Sequence, residues 1–462
     1  MLTACDRLGL SPHGMVTIAG AGATPLHLKG LLDRLGVVPD FVHVGAFKGA
    51  AEPLTRTAPS REMVETLEAI VGRYHDTLEK GLVDGRRLDD AKASAAIDRA
   101  LYTGEAAKAA GLLDSVGVWE DFRAEAVGGA EWNTYKSKES VGGLDFTKLQ
   151  VFLGLMPPKR PSEKHIALVY AVGSVIDGDG DGILGARQEI AGHTLSTTLR
   201  QMAADDAIAA IVLRVNSGGG SAIASEQVFQ AVAAAKAKKP VVVSMGRVAA
   251  SGGYYISTGA TKIYATPETL TGSIGVVGGK VALGKALKNL GVDTYHVGRG
   301  KRSALWSSMS PWTADERADV LAMMEETYKV FVDRVAQSRG KSYDEIHAIA
   351  QGRVWTGEDA KARGLVDALG GLEDALADAR QLGGVDPKTE LEIYPPEPTL
   401  KDILHSLGPV ALPVGLRGAL VEIEGELGPR VARKIEGALR SLLLLREHHV
   451  LAIDWTPGLL DG

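Results

Sequence analysis

The strongest constraint on what this chain can fold into is that it repeats itself across a long interval. Leu10-Ser11-Pro12-His13-Gly14 through Gly20 aligns with Ala265-Thr266-Pro267-Glu268-Thr269 through Gly275. Gly36-Val37, Val42-His43-Val44-Gly45 and Lys48 align with Gly291-Val292, Tyr295-His296-Val297-Gly298 and Lys301. Tyr102-Thr103-Gly104 through Asp114 returns as Trp355-Thr356-Gly357 through Asp367. The offset is 255 residues early and 253 later, so one two-residue indel accounts for the difference. A period this long is a duplicated domain, not a solenoid unit of roughly 20–50 residues. In the second copy about 90 residues lie upstream of the matched part. Met1 falls where the same stretch of the first copy would end, so the first copy is expected to be truncated at its N-terminus, with any anchor lost alongside it.

The 462 residues suffice for two or three domains, each with its own core. The repeat and its punctuation divide them into a first copy over 1–127, a linker over 128–165, a second copy over 166–395 and a tail over 396–462. The 57 acidic and 51 basic side chains are mixed along the chain, which leaves no basic footprint for nucleic acid. Cys5 is the only cysteine, so neither an intrachain disulfide nor a cysteine metal cluster can form. No apolar run reaches the roughly 18 residues that span a bilayer, and no signal peptide opens the chain.

The second copy alternates strands and helices. Ile166–Val172, Ile208–Val215 and Val241–Met245 are short apolar runs without polar alternation, as in strands covered on both faces. Ala222–Lys236 has helical spacing, and a small-residue helix is expected from about Ala249. Ile274–Val277 reads as a fourth strand, and Thr313-Ala314-Asp315-Glu316 as the capping box of a long helix. This order gives an α/β fold built of layered sheets and helices with right-handed crossovers. An amphipathic piece (Leu144–Met156) is expected in the linker, and a helix with one charged face (Val421–Leu445) in the tail.

Two loops of the second copy carry the chemistry. Asn216-Ser217-Gly218-Gly219-Gly220-Ser221 follows a strand and precedes a helix, so its amides can face an anion or an oxyanion. By itself it reads equally well as a tight turn. Ala249-Ala250-Ser251-Gly252-Gly253 places a serine at a helix start between small residues; alone, Ser251 reads as an N-cap. Asp177-Gly178-Asp179-Gly180-Asp181-Gly182 resembles the start of a calcium loop, but Gln188 stands at the bidentate position, so it reads as a hairpin tip and no metal is expected. His43 and His296 recur in both copies, which marks a structural position and not a base.

Together the two loops resemble the Clp protease and crotonase superfamily. Within it, Val215-Asn216-Ser217, Ser244-Met245-Gly246, Ala249–Tyr254, Leu270–Gly275 and Val354–Gly357 are similar to the signal peptide peptidase A family in its long, duplicated form. The resemblance runs from about residue 2 to about residue 400 and implies tandem Clp/crotonase-like α/β domains carrying a serine endopeptidase with a Ser–Lys dyad and no cofactor. Carried over, Ser251 is the nucleophile, Lys48 of the first copy the general base and Ser273 the residue that orients the amine. Backbone amides of Gly219 and Gly252, with Gly220 adjacent, form the oxyanion hole. Gly218 departs from the family's usual proline, which loosens that loop. Lys301 holds the place of Lys48 in its own copy and is the alternative base. Ser273 corresponds to Ile18, so the first copy lacks this hydroxyl. The resemblance further implies cleaved signal peptides or similar apolar peptides as substrates and a ring-like homotetramer. For the full-length form it implies an inner-membrane anchor facing the periplasm. The rival readings are a crotonase-like acyl-CoA enzyme, in which Ser251 is dispensable, and an inactive scaffold subunit.

Overall fold

The computed structural model describes residues 2–11, 14–127, 160–180, 185–297, 299, 301–397 and 451–453. Leu144–Met156, Val421–Leu445 and most of the 128–165 linker lie outside the described residues. The chain forms two compact units, one of residues 1–23 and 67–145 with Gly462, the other of residues 24–66 and 146–461.

Each unit builds the duplicated segment in the same way. In the first, Gly9 and Leu10 pair in parallel with Ser115 and Val116, and Met15–Thr17 pairs antiparallel with Leu101–Thr103. In the second, Tyr264 and Ala265 pair with Ala368 and Leu369, and Leu270–Gly272 pairs with Val354–Thr356. Arg86 sends its guanidinium to both carboxylate oxygens of Asp114 and to the Gly111 carbonyl, while Leu8 N–H reaches Asp114. Arg339, Asp367, Gly364 and Ile263 repeat that network. Thr103 and Thr356 each cap the short helix that follows. The duplication is therefore one of packing as well as of sequence.

The strands of the second unit include β1 (Val38–Val44), β2 (His165–Val172), β3 (Ile208–Ser217), β4 (Gly219–Ser221), β5 (Val241–Ala250), β6 (Lys262–Ala265), β7 (Leu270–Gly272), β8 (Val276–Ala282), β9 (Val354–Thr356) and β10 (Leu391–Tyr394). Its main helices are α1 (Ala222–Lys236), α2 (Gly252–Thr258) and α3 (Ala314–Arg339). An eight-stranded sheet runs β9-β7-β5-β3-β2-β10, with β6 paired to β5 and Ala368–Leu369 paired to β6. All of these contacts are parallel except β7–β9. Along β3, Ile211, Leu213 and Val215 pack with Val228 and Val232 of α1 and Phe331 of α3. Ala210 and Val212 face the other way, onto Ala375, Leu376 and Ala379 of the Leu372–Gly383 helix. Two covered faces explain the unbroken apolar runs, and each buried aliphatic side chain contributes roughly 1.5–3 kcal/mol.

The capping box at Thr313 and Glu316 starts α3 as expected. Two expectations need correcting. Ala249 and Ala250 belong to β5, because its end is held by pairing with β7; α2 begins only at Gly252. The strand expected at Ile274 begins at Val276, since Ser273 at φ 50° turns the chain first.

A second, six-stranded sheet contains β1, β8 and β4. In it β1 lies antiparallel on β8, from Val44 opposite Val276 to Val38 opposite Ala282. Residues 24–66 thus complete a sheet made otherwise of second-copy and later residues. The matching stretch of the second copy, Asp293–Val297, forms no strand and leaves Tyr295 91 % and Val297 84 % exposed.

Candidate active site

β5 delivers Ser251 at its end. The residue occupies the N-cap position of α2, as the isolated motif suggested, but at φ 53° and ψ −116° its hydroxyl makes no capping bond. A non-glycine residue there costs about 1–3 kcal/mol and persists because the surroundings over-determine it. Ser251 N–H donates to the Gly272 carbonyl at 2.8 Å, and its own carbonyl accepts from Tyr255 N–H at 2.8 Å. The hydroxyl is left facing Lys48.

Lys48 arrives on the loop after β1. Its Nζ lies 2.7 Å from Ser251 Oγ, 3.0 Å from Ser273 Oγ and 3.1 Å from the Ser273 carbonyl oxygen. The three residues are buried. The three contacts are to serine oxygens, two from side chains and one from the backbone. Asp40, also buried, anchors β1: its carboxylate accepts Trp312 N–H at 2.7 Å and pairs with Arg317.

The loop itself is gripped by a turn at Gln351–Gly352. Phe47 N–H donates to the Gln351 carbonyl at 2.9 Å. Gly352 has φ 78°, and a Cβ there would stand 2.6 Å from Lys48 Cβ and 2.7 Å from Lys48 N, so only glycine fits. Gly352 N–H bonds the Ile274 carbonyl at 2.7 Å and Ser273 N–H bonds the Arg353 carbonyl at 2.8 Å. Sequence reasoning missed this turn. The motif that follows it, Val354–Gly357, was visible, but nothing in the pattern tied it to Lys48.

The glycine loop comes to the same place. A Cβ on Gly252 would lie 2.6 Å from Ser225 Oγ and 3.1 Å from both Gly219 Cα and Gly220 N. Gly252 opens α2, where a backbone N–H has no intrahelical acceptor. Gly219 donates its N–H to Ser217 Oγ at 3.1 Å. Between β4 and β8 the backbone of residues 451–453 forms a strand antiparallel to both, with Gly220 opposite Ala452 and Val277 opposite Leu451.

Other expected residues lie elsewhere. Lys301 is exposed. His43 is exposed, with Nδ1 3.0 Å from the Gly45 carbonyl oxygen, and His296 is exposed, with Nε2 3.1 Å from Ser303 Oγ. Asp177 meets Ser221 Oγ at 2.5 Å, at the start of α1. No group of metal-ligating side chains occurs among the described residues.

Comparison with known proteins bears on this arrangement. Residues 1–132 and 233–386 match the model of peptidase family S49. Protease 4 of Salmonella typhi is 34 % identical over 412 residues, covering 86 % of this chain and 64 % of that protein. The chloroplastic serine protease SPPA of Arabidopsis thaliana is 29 % identical over 431 residues, covering 91 % and 62 %. Protease 4 of Haemophilus influenzae is 32 % identical over 389 residues, covering 82 % and 61 %. The chain thus spans about three fifths of the length of these curated relatives. With a family match over more than half its residues and the duplicated α/β architecture, the chain belongs to peptidase family S49.

Proposed function

We propose that this chain is a serine endopeptidase working through a Ser251–Lys48 dyad. The observation that carries the reading is the 2.7 Å contact of Lys48 Nζ with Ser251 Oγ, supported by the two Ser273 oxygens on the same amine. A serine hydroxyl is a weak nucleophile until a neighbour takes its proton, and an uncharged amine in hydrogen-bond reach does so. As a neutral amine, Lys48 directs two N–H bonds at Ser273 and its lone pair at the Ser251 proton.

Ser251 Oγ adds to the scissile carbonyl carbon as its proton passes to Lys48. Gly252 N–H, with Gly220 and Gly219 beside it, stabilises the oxyanion; Gly219 must first release Ser217 Oγ. The C–N bond breaks as Lys48 returns the proton to the departing amine, leaving an acyl ester on Ser251. Water, deprotonated by the same lysine, adds to the ester carbonyl, and as the Oγ–C bond breaks Lys48 returns that proton to Ser251 Oγ, releasing the acid product. The gap between β4 and β8 admits an antiparallel strand, as residues 451–453 lie there, so the peptide is bound in extended form through backbone hydrogen bonds. Small neighbours at Ala249, Ala250 and Gly253 suit apolar peptides such as cleaved signal peptides. The protein is expected to assemble as a homo-oligomer on the periplasmic face of a membrane. No helix among the described residues is long and apolar enough to cross one.

The test is hydrolysis of a signal-peptide substrate, with fluorophosphonate labelling of the same samples. Lys48→Met should abolish both, while Lys301→Met should leave both intact. Loss in Lys301→Met alone would move the base to the second copy. Absence of label on Ser251, with the chain folded, would favour an acyl-CoA enzyme or a scaffold.

A further inference from the structure

We infer that Arg353 is a positioning residue for the dyad, acting with Phe47 and Glu65 as a clamp on the Lys48 loop. The inference rests on the Ser–Lys reading above and adds residues that the family resemblance did not supply. Arg353 touches Ser273 and the loop that carries Lys48 without touching the amine. Its backbone carbonyl accepts Ser273 N–H at 2.8 Å, fixing the residue whose two oxygens hold Nζ. Its guanidinium lies 4.7 Å from the ring centre of Phe47, the residue before Lys48, and 4.5 Å from that of Trp355. The same guanidinium pairs with Glu65 at 2.8 Å, near the start of the Arg61–Arg86 helix. Trp355 is steadied in turn by its Nε1 bond to the Ile349 carbonyl at 2.8 Å and by Arg363, 3.6 Å from its ring centre.

The duplication supplies an internal control. Arg339–Asp367, which only holds the fold, is kept in the first copy as Arg86–Asp114. The clamp is not kept. At the established offset Arg353 becomes Ala100, Glu65 becomes Ala318, Phe47 becomes Gly300 and Ser273 becomes Ile18. Lys48 matches Lys301, which is exposed, and Trp355 matches the aromatic Tyr102. An arrangement needed for packing would recur with the packing. This one occurs only where a lysine meets a serine, so it serves that meeting. A buried amine held by neutral oxygens must be placed to within a fraction of an ångström, and displacing a reacting group by about 1 Å costs on the order of 100-fold in rate.

Arg353→Ala, Arg353→Lys and Glu65→Gln should be assayed on a peptide substrate beside Lys48→Met, with a thermal midpoint for each. Arg353→Ala is expected to lower kcat by about 10- to 100-fold with KM changed less than about twofold, since the loss falls on the chemical step. Arg353→Lys should recover part of that loss, and Glu65→Gln, at a half-exposed side chain, should lose less than Arg353→Ala with its thermal midpoint unchanged. Unchanged kcat in both Arg353→Ala and Glu65→Gln overturns the inference. So does a loss of activity that only tracks the folded fraction across the variants. If Lys48→Met retains activity, the Ser–Lys reading itself falls. If Lys48→Met is inactive while the clamp variants match wild type, only the clamp falls.

Discussion

Ser273 provides two of the oxygens that hold Lys48 Nζ, one from its side chain and one from its backbone. Removing the hydroxyl leaves the carbonyl in place, so the amine keeps its direction but loses one fixed contact. A hydrogen bond lost at a buried polar group is worth about 1–3 kcal/mol. Ser273→Ala should therefore lower kcat by about 10- to 100-fold with little change in KM, measured on a peptide substrate. Activity equal to wild type would show that the hydroxyl does not orient the base. The identities of Ser251, Ser273 and Lys48 were readable as a family pattern. Their geometry was not, because the positive φ values at Ser251 and Ser273 depend on bonds to Gly272 and Arg353, residues supplied by other segments.

Among the elements, α1, α2 and α3 are joined by one carboxylate. Glu226 of α1 accepts from Tyr255 of α2 at 2.6 Å and from Arg334 of α3 at 2.7 Å, and Tyr255 stacks on Phe331 with ring centres 4.2 Å apart. Burial works to raise the Glu226 carboxyl, but hydrogen bonds from Arg334, Tyr255 and Gln230 outweigh it and hold the group below its ordinary value of 4.5. A lowered carboxyl stabilises the fold above its unfolded-state pKa and loses that contribution as pH falls through the folded one. The thermal midpoint of wild type should exceed that of Glu226→Gln at neutral pH, and the gap should close as pH falls below the ordinary carboxyl value of 4.5 and through the lowered folded-state one. A gap unchanged between neutral and acid pH would refute this linkage. The long apolar strands and the capped α3 were legible because their signals are local. The short β6 and β7 were not, since pairing along opposite ends of β5 defines them.

At the scale of the whole molecule, the two copies treat one segment differently. β1 is covered through β8, with Phe41 and Val42 buried, whereas its counterpart leaves Tyr295 and Val297 in solvent. An apolar stretch that its twin buries by strand pairing favours self-association through the same kind of pairing with a second copy. Tyr295→Asp should shift the molar mass measured by light scattering toward the monomer while leaving the thermal midpoint within a few degrees. A mass unchanged by the substitution, or a monomeric wild type, would rule this surface out.

The sequence by itself determined the duplication, the α/β class and the residue types of the site, because repeats, apolar runs and glycine-flanked serines are properties of neighbouring residues. It left the choice between Lys48 and Lys301 open. Which of them lies beside Ser251 is decided by the tertiary structure, where antiparallel pairing of β1 with β8 and the Gln351–Gly352 turn bring Lys48 there while Lys301 is exposed. The physical reason is separation along the chain. Lys48 stands 203 residues from Ser251 and 225 from Ser273, and only the closure of a shared sheet fixes which lysine is buried beside the hydroxyl.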